Sequence, residues 1–187
     1  VIALLICTII NLWISLHTLR KLQSNNSISE KELHLPIGSS MPYINGHFLE
    51  SGASYTSNQR EPSATVIVFL STHCSDCRKK IPELIHILPA IESLGIDLII
   101  IGMEKEDKVR QFLQGTPLLS KALSVDKVAR QSLNPQNATP FYLFVDADGL
   151  VQASYFIGDD NWLAFLEQME EALDIQAKTG ILSHKHS

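Results

Sequence analysis

Cys74 and Cys77 stand two residues apart in "VIVFLSTHCSDCRKK" (66–80), where a run of β-branched and aromatic residues ends and a helical pattern begins. If Cys74 opens that helix, the two side chains lie three positions apart on one face, close enough for a disulfide across the first turn. Unpaired backbone N–H groups and the macrodipole at a helix N-terminus favour a negative sulfur. A thiolate is the nucleophile of thiol–disulfide exchange, so this position gives Cys74 its reactivity. Cys77, one turn deeper, is expected to be shielded and to act as the resolving thiol. Arg78, Lys79 and Lys80 add positive potential in favour of the thiolate, and Asp76 opposes it.

Other chemistries suit the pair less well. The chain has three cysteines, too few for a disulfide scaffold or a four-thiolate metal site. Zinc would need two further ligands, and no second pair with the usual spacing follows, although His73 is adjacent. A purely structural disulfide closing so short a loop would gain little chain entropy. Redox exchange fits best, with no metal and no cofactor beyond the cysteine pair. The third cysteine, Cys7, sits inside an apolar segment and is not a site candidate.

The elements that must position the pair read as alternating strands and helices. "YINGHFLESG" suggests a hairpin turning at Asn45-Gly46. "ATVIVFLS" (64–71) is a continuous apolar strand of the kind buried on both sheet faces. Residues 77–95 repeat apolar side chains at helical spacing, with Gly95 as the stop. A second buried strand is predicted over 96–103, an amphipathic helix over 104–115, a short strand over 121–125 and a short helix over 126–133. "PFYLFVDADGLVQASYFI" (140–157) reads as two strands joined at Asp148-Gly149. An amphipathic helix over 160–175 follows, with Asp160 as its N-cap. This order predicts an α/β domain, a central mixed sheet with helices on both faces.

The front of the chain differs. Residues 1–19 carry no acidic or basic side chain (His17 taken as neutral), and Arg20-Lys21 end the run. About 20 apolar residues cross ~30 Å of hydrocarbon as a helix, so a transmembrane anchor is expected here, with Trp13 at the interface. A cleaved signal peptide would show a basic start and small residues at a cleavage site, and neither is visible. Residues 20–41 read as a polar linker. The chain of 187 residues is 45% hydrophobic and 19% charged with a formal net charge of −5, which supports a packed core and argues against a nucleic-acid partner.

"NATPFYLFVD" (137–146) sets a proline at the start of a strand, where the sheet tolerates it and where a cis peptide is accessible. With the Cys-x-x-Cys unit, and Pro82 five residues beyond Cys77, the sequence resembles the thioredoxin superfamily. The resemblance implies a thioredoxin-like fold over 42–176 followed by a tail over 177–187. It also implies a cis Thr139-Pro140 bond facing Cys74, with Thr139 and Pro140 forming the edge on which substrate backbone docks. The anchor, leading hairpin and "PFYLFVDADGLV" resemble the TlpA-like membrane-anchored oxidoreductases, and in style the MauD-like maturation factors of methylamine dehydrogenase. That likeness implies an exported protein with thiols or a disulfide as substrate, and a membrane electron-transfer partner of the DsbD/CcdA kind. It also implies a soluble domain on the periplasmic side of the cell membrane, whereas the Arg20-Lys21 pair alone would argue for the cytosol.

The chain departs from that pattern at three positions. His73 stands where the family commonly has tryptophan, and an imidazole there is expected to meet substrate and support the Cys74 thiolate. Val68 occupies the position of the buried acid of thioredoxins, and Lys80 that of a glutamate common in reductive TlpA-like proteins. These departures predict a pair more oxidising than thioredoxin's. Two functions fit these features, an anchored thiol-disulfide oxidoreductase and a thioredoxin-like binding module that uses Cys74 and Cys77 as ligands for metal delivery or chaperoning.

Overall fold

Strand β3 (Thr65–Leu70) is buried along its whole length, because it is a central strand with a neighbour on each side and helices over both faces. These features are seen in a computed structural model of the chain, which describes residues 34–59 and 63–183. The expected anchor over 1–19 and most of the linker lie outside the described residues. Among those described, no helix is long and apolar enough to cross a membrane.

The remaining elements are β1 (Asn45–Phe48), β2 (Ser54–Thr56), α1 (Ser75–Ser93), β4 (Asp97–Gly102), α2 (Glu106–Leu113), β5 (Leu123–Val125), α3 (Lys127–Leu133), β6 (Phe141–Val145), β7 (Val151–Phe156) and α4 (Asp160–Ser183). The main sheet runs β4-β3-β6-β7. β3 and β4 are parallel and joined by the crossover through α1, and β6 and β7 are antiparallel additions. A smaller sheet, β2-β1-β5, meets β4 through the single parallel bridge Ile100–Ala122.

Alternation along the strands divides the core in two. Val66, Val68 and Leu70 of β3, with Leu98 and Ile100 of β4, pack against Leu84, Ile87 and Ile91 of α1 and Trp162 of α4. Ile67, Phe69, Ile99 and Ile101 face the opposite way, toward Leu133 of α3 and Ile44. Helix α1 passes through Pro82 and Pro89, each of which removes one helical N–H donor, and ends where Gly95 takes φ +66.

Three local expectations are corrected. The first hairpin does not turn at Asn45-Gly46: the reversal lies between Phe48 and Ala53, where Gly52 adopts φ +71 and its N–H donates to the Phe48 carbonyl at 2.8 Å. Gly46 is instead a strand residue of β1, squeezed so closely against the Ser124 carbonyl of β5 that a Cβ there would collide with it. The last helix is capped by Asp159, whose Oδ1 accepts from the Trp162 N–H at 2.9 Å, and Asp160 lies inside the first turn. That helix also runs beyond the expected end at 175, through Gly180 to Ser183.

The residues at the end of the predicted linker already touch the sheet. Gly38 N–H donates to the Val151 carbonyl at 2.7 Å, and Met41 N–H to that of Gly149 at 2.8 Å. The described residues from Leu35 onward form one compact unit.

Candidate active site

Cys74 is the N-cap of α1, with φ −90 and ψ 115, and its sulfur accepts the Cys77 N–H at 3.1 Å. This is the orphan-donor geometry of a helix start, with a sulfur in place of the usual oxygen. The cap follows from position: β3 ends at Leu70, and Ser71–His73 turn the chain into the helix. Cys77 is fully buried one turn on, and Ser71 N–H donates to its sulfur at 3.5 Å. Both cysteines are free thiols.

The second wall of the site comes from the segment entering β6. Thr139-Pro140 is a cis peptide, and the Cys74 thiol points at the Thr139 carbonyl oxygen at 3.8 Å. The two strands that carry these segments, β3 and β6, are antiparallel neighbours. A groove of about 430 Å³ beside Cys74 is lined by Asp76, Lys79, Lys80, Thr139, Pro140, Phe156 and Ile157.

Electrostatics separate the two sulfurs. Partial burial works against the Cys74 thiolate, but hydrogen bonds from the Cys77 side chain and backbone outweigh it, and the pKa falls below the ordinary thiol value. Cys77 is pushed up to about 12, first by burial and then by its hydrogen bond with Cys74. Cys74 is therefore the more readily ionised of the two sulfurs, and Cys77 holds its proton at neutral pH.

The flanking charges are largely paired among themselves. Lys79 Nζ meets Asp76 Oδ1 at 2.8 Å, Lys80 Nζ meets Glu83 Oε2 at 2.8 Å, and the Arg78 guanidinium lies 5.2 Å from the centre of the Phe112 ring. His73 is exposed; its backbone N–H donates to Ser71 Oγ at 3.2 Å, and among the described residues its imidazole makes no hydrogen bond or ion pair. Of the five residues singled out in the sequence, the structure thus gathers Cys74, Cys77, Thr139 and Pro140, and leaves the His73 ring in solvent. Among the described residues, no group of three or more His, Cys, Asp or Glu side chains is placed to hold a metal ion.

Two residues outside the predicted set hold the site together. Asn134 is fully buried at the end of α3; its Nδ2 donates to the Ala138 carbonyl at 2.8 Å, and its Oδ1 accepts the Ala138 N–H at 3.0 Å. This two-point clasp fixes the loop leading into Thr139-Pro140. Glu104, just past β4, accepts from Ser71 Oγ at 2.5 Å and from the Thr72 N–H at 3.0 Å. The one signal in the sequence was an Asn and a Glu at strand and helix ends, which is too common to single them out.

The AhpC/TSA family profile matches residues 37–172, and the chain belongs to that family. No curated protein matches. Its fold is thioredoxin-like. The thioredoxin domain of a thiol-disulfide oxidoreductase from Bacteroides vulgatus superposes with TM-score 0.59 at 21% identity, over 72% of this chain and 99% of that one. A thioredoxin-family thiol:disulfide interchange protein from Chlorobium tepidum gives 0.60 at 19% identity, over 74% and 99%. A secreted disulfide oxidoreductase of Mycobacterium tuberculosis, homologous to DsbE of E. coli, gives 0.51 at 20% identity, over 60% and 81%.

Proposed function

We propose that this protein is a thiol-disulfide oxidoreductase that exchanges disulfides with an exported protein, on the periplasmic side of the membrane to which residues 1–19 anchor it. What carries the reading is the asymmetry of the pair: an accessible Cys74 with a lowered pKa facing Thr139-Pro140, and a buried Cys77 with a raised one. In the reducing direction, the Cys74 thiolate attacks one sulfur of the substrate disulfide. That S–S bond breaks, and the departing substrate sulfur leaves as a thiolate and takes a proton. Cys77 then gives up its proton and attacks Cys74 Sγ. The Cys74–Cys77 disulfide forms, and the second substrate thiol is released. Run backwards, the same steps oxidise a dithiol substrate.

The groove between Asp76–Lys80 and Phe156-Ile157 is where the substrate chain would lie, with its backbone against Thr139. A membrane electron-transfer partner of the DsbD/CcdA kind would reset the pair, and maturation of a disulfide-rich enzyme such as an amine dehydrogenase fits the resemblance to MauD-like proteins.

The test is the behaviour of single mutants with a disulfide-bonded substrate. Cys74→Ser should abolish exchange, while Cys77→Ser should accumulate a mixed disulfide, seen as a thiol-sensitive adduct on a gel, because the resolving thiol is gone. Equal trapping by both mutants would overturn the division of roles. Tight stoichiometric metal that protects both thiols from alkylation, with no turnover, would favour the binding module.

A further inference from the structure

Val68 and Lys80 bring no acid to the cysteine pair, but a carboxylate reaches the preceding turn from just beyond β4. Glu104 follows β4, the parallel partner of β3, so its carboxylate arrives at the same end of the sheet as the turn that precedes Cys74. Both carboxylate oxygens are used there, one on Ser71 Oγ at 2.5 Å and the other on the Thr72 N–H at 3.0 Å. The shorter distance is that of a hydroxyl donating to a carboxylate. Ser71 Oγ in turn accepts the His73 N–H at 3.2 Å, and the Ser71 carbonyl accepts the Cys74 N–H at 3.2 Å. The whole 71–74 turn is therefore tied to one side chain.

That turn carries the Ser71 N–H, which donates to Cys77 Sγ at 3.5 Å. When Cys77 loses its proton to attack Cys74, negative charge grows on that sulfur, and a donor already aimed at it stabilises the charge without reorganising. We propose that Glu104 is a positioning residue for the resolving step: its carboxylate clamps the Ser71-Thr72 turn so that the Ser71 amide stays aimed at Cys77 Sγ. This rests on the thiol-disulfide reading above. Glu104 touches neither sulfur among the contacts described, so its action runs through the amide.

The two steps separate under the right variants. In a Cys77→Ser background, the rate of mixed-disulfide formation reads the attack by Cys74 alone. In the otherwise intact protein, decay of a preformed mixed disulfide reads resolution by Cys77. Glu104→Gln has a single carbonyl acceptor for two donors, and should slow resolution roughly tenfold, the worth of about one hydrogen bond to a charged group, while attack stays within about twofold. The pH at which resolution reaches half its plateau should move upward, since a donor to the thiolate has been loosened. Glu104→Asp, which keeps both acceptor oxygens, should recover part of the rate. Ser71→Ala removes the bridging hydroxyl but keeps the amide, and should shift resolution the same way; it carries the test if Glu104→Gln does not fold. Equal slowing of attack and resolution, or no change in either, would overturn the proposal. A wild-type protein that forms no mixed disulfide at all would instead refute the function on which it rests.

Discussion

Two thiols of one type, three positions apart, acquire opposite properties because one caps a helix at the surface and the other is packed beneath it. Alkylation of Cys74 should therefore reach half its maximal rate below the ordinary thiol pKa of ~8.5, whereas Cys77 should resist alkylation well into the alkaline range. The consequence for stability has a definite sign. Folded Cys77 holds its proton up to about 12, whereas the unfolded chain releases it near ~8.5. Its contribution to the reduced fold is thus complete below the unfolded pKa and is lost as pH rises from there through the folded one. Cys74 works in the opposite sense: its depressed pKa contributes stability above the unfolded value, lost as pH falls through the folded one. Denaturant unfolding of the reduced protein should show a wild-type stability that declines with alkaline pH relative to Cys77→Ala. Parallel pH curves would refute the raised pKa. His73 belongs at this scale too. Its ring is exposed and its effect on Cys74 must cross water, so His73→Ala should move the Cys74 titration by less than ~0.5 unit, because solvent and salt screen such exposed charges. A larger shift in thiolate absorbance would restore the imidazole to the site.

Elements bring the walls of the site together, and Asn134 bears on how well they meet. Asn134 satisfies both backbone groups of Ala138 from within the core. Asn134→Leu would leave them without that partner, and should cost about 1–3 kcal/mol in denaturant unfolding. Because the loop it holds carries Thr139, exchange should fall more than the residual folded fraction explains. Loss of stability with full specific activity would separate the clasp from the site. Gly46 offers a contrast far from the chemistry. A methyl there meets the Ser124 backbone, which cannot rotate aside, so Gly46→Ala should destabilise by about 1–3 kcal/mol while leaving specific activity intact. A neutral mutant would mean that β1 and β5 can part without loss.

At the scale of the whole molecule, the fold and the proposed anchor are separable. Residues from Leu35 onward form their own compact unit with both core layers inside it. A chain beginning at Leu35 should fold, remain in solution and exchange disulfides, while the full sequence should partition into the membrane fraction through residues 1–19 and resist extraction by salt or alkali. Recovery of the full sequence in the soluble fraction after gentle lysis would remove the anchor from the proposed function. Family membership rests on residues 37–172, and so is untouched by either result.

What the sequence determined by itself was whatever is written at short range. The apolar run of β3, the helical spacing of α1 and its stop at Gly95, and the turn at Asp148-Gly149 all depend on neighbours a few residues apart, and all appear where the pattern puts them. The placement of Cys74 and Cys77 at a helix start was legible for the same reason, since strand, turn and helix start are contiguous. Asn45-Gly46 misled because a good turn dipeptide can equally serve a close strand approach, and only β5, some 80 residues on, decides between them. The acid at the site was invisible for a related reason: Glu104 reaches Ser71 across a separation of 33 residues, and the register of β3 on β4 alone sets that meeting. Local periodicity is encoded residue by residue, whereas which polar side chains converge depends on how the strands line up, and only the packed core sets that alignment.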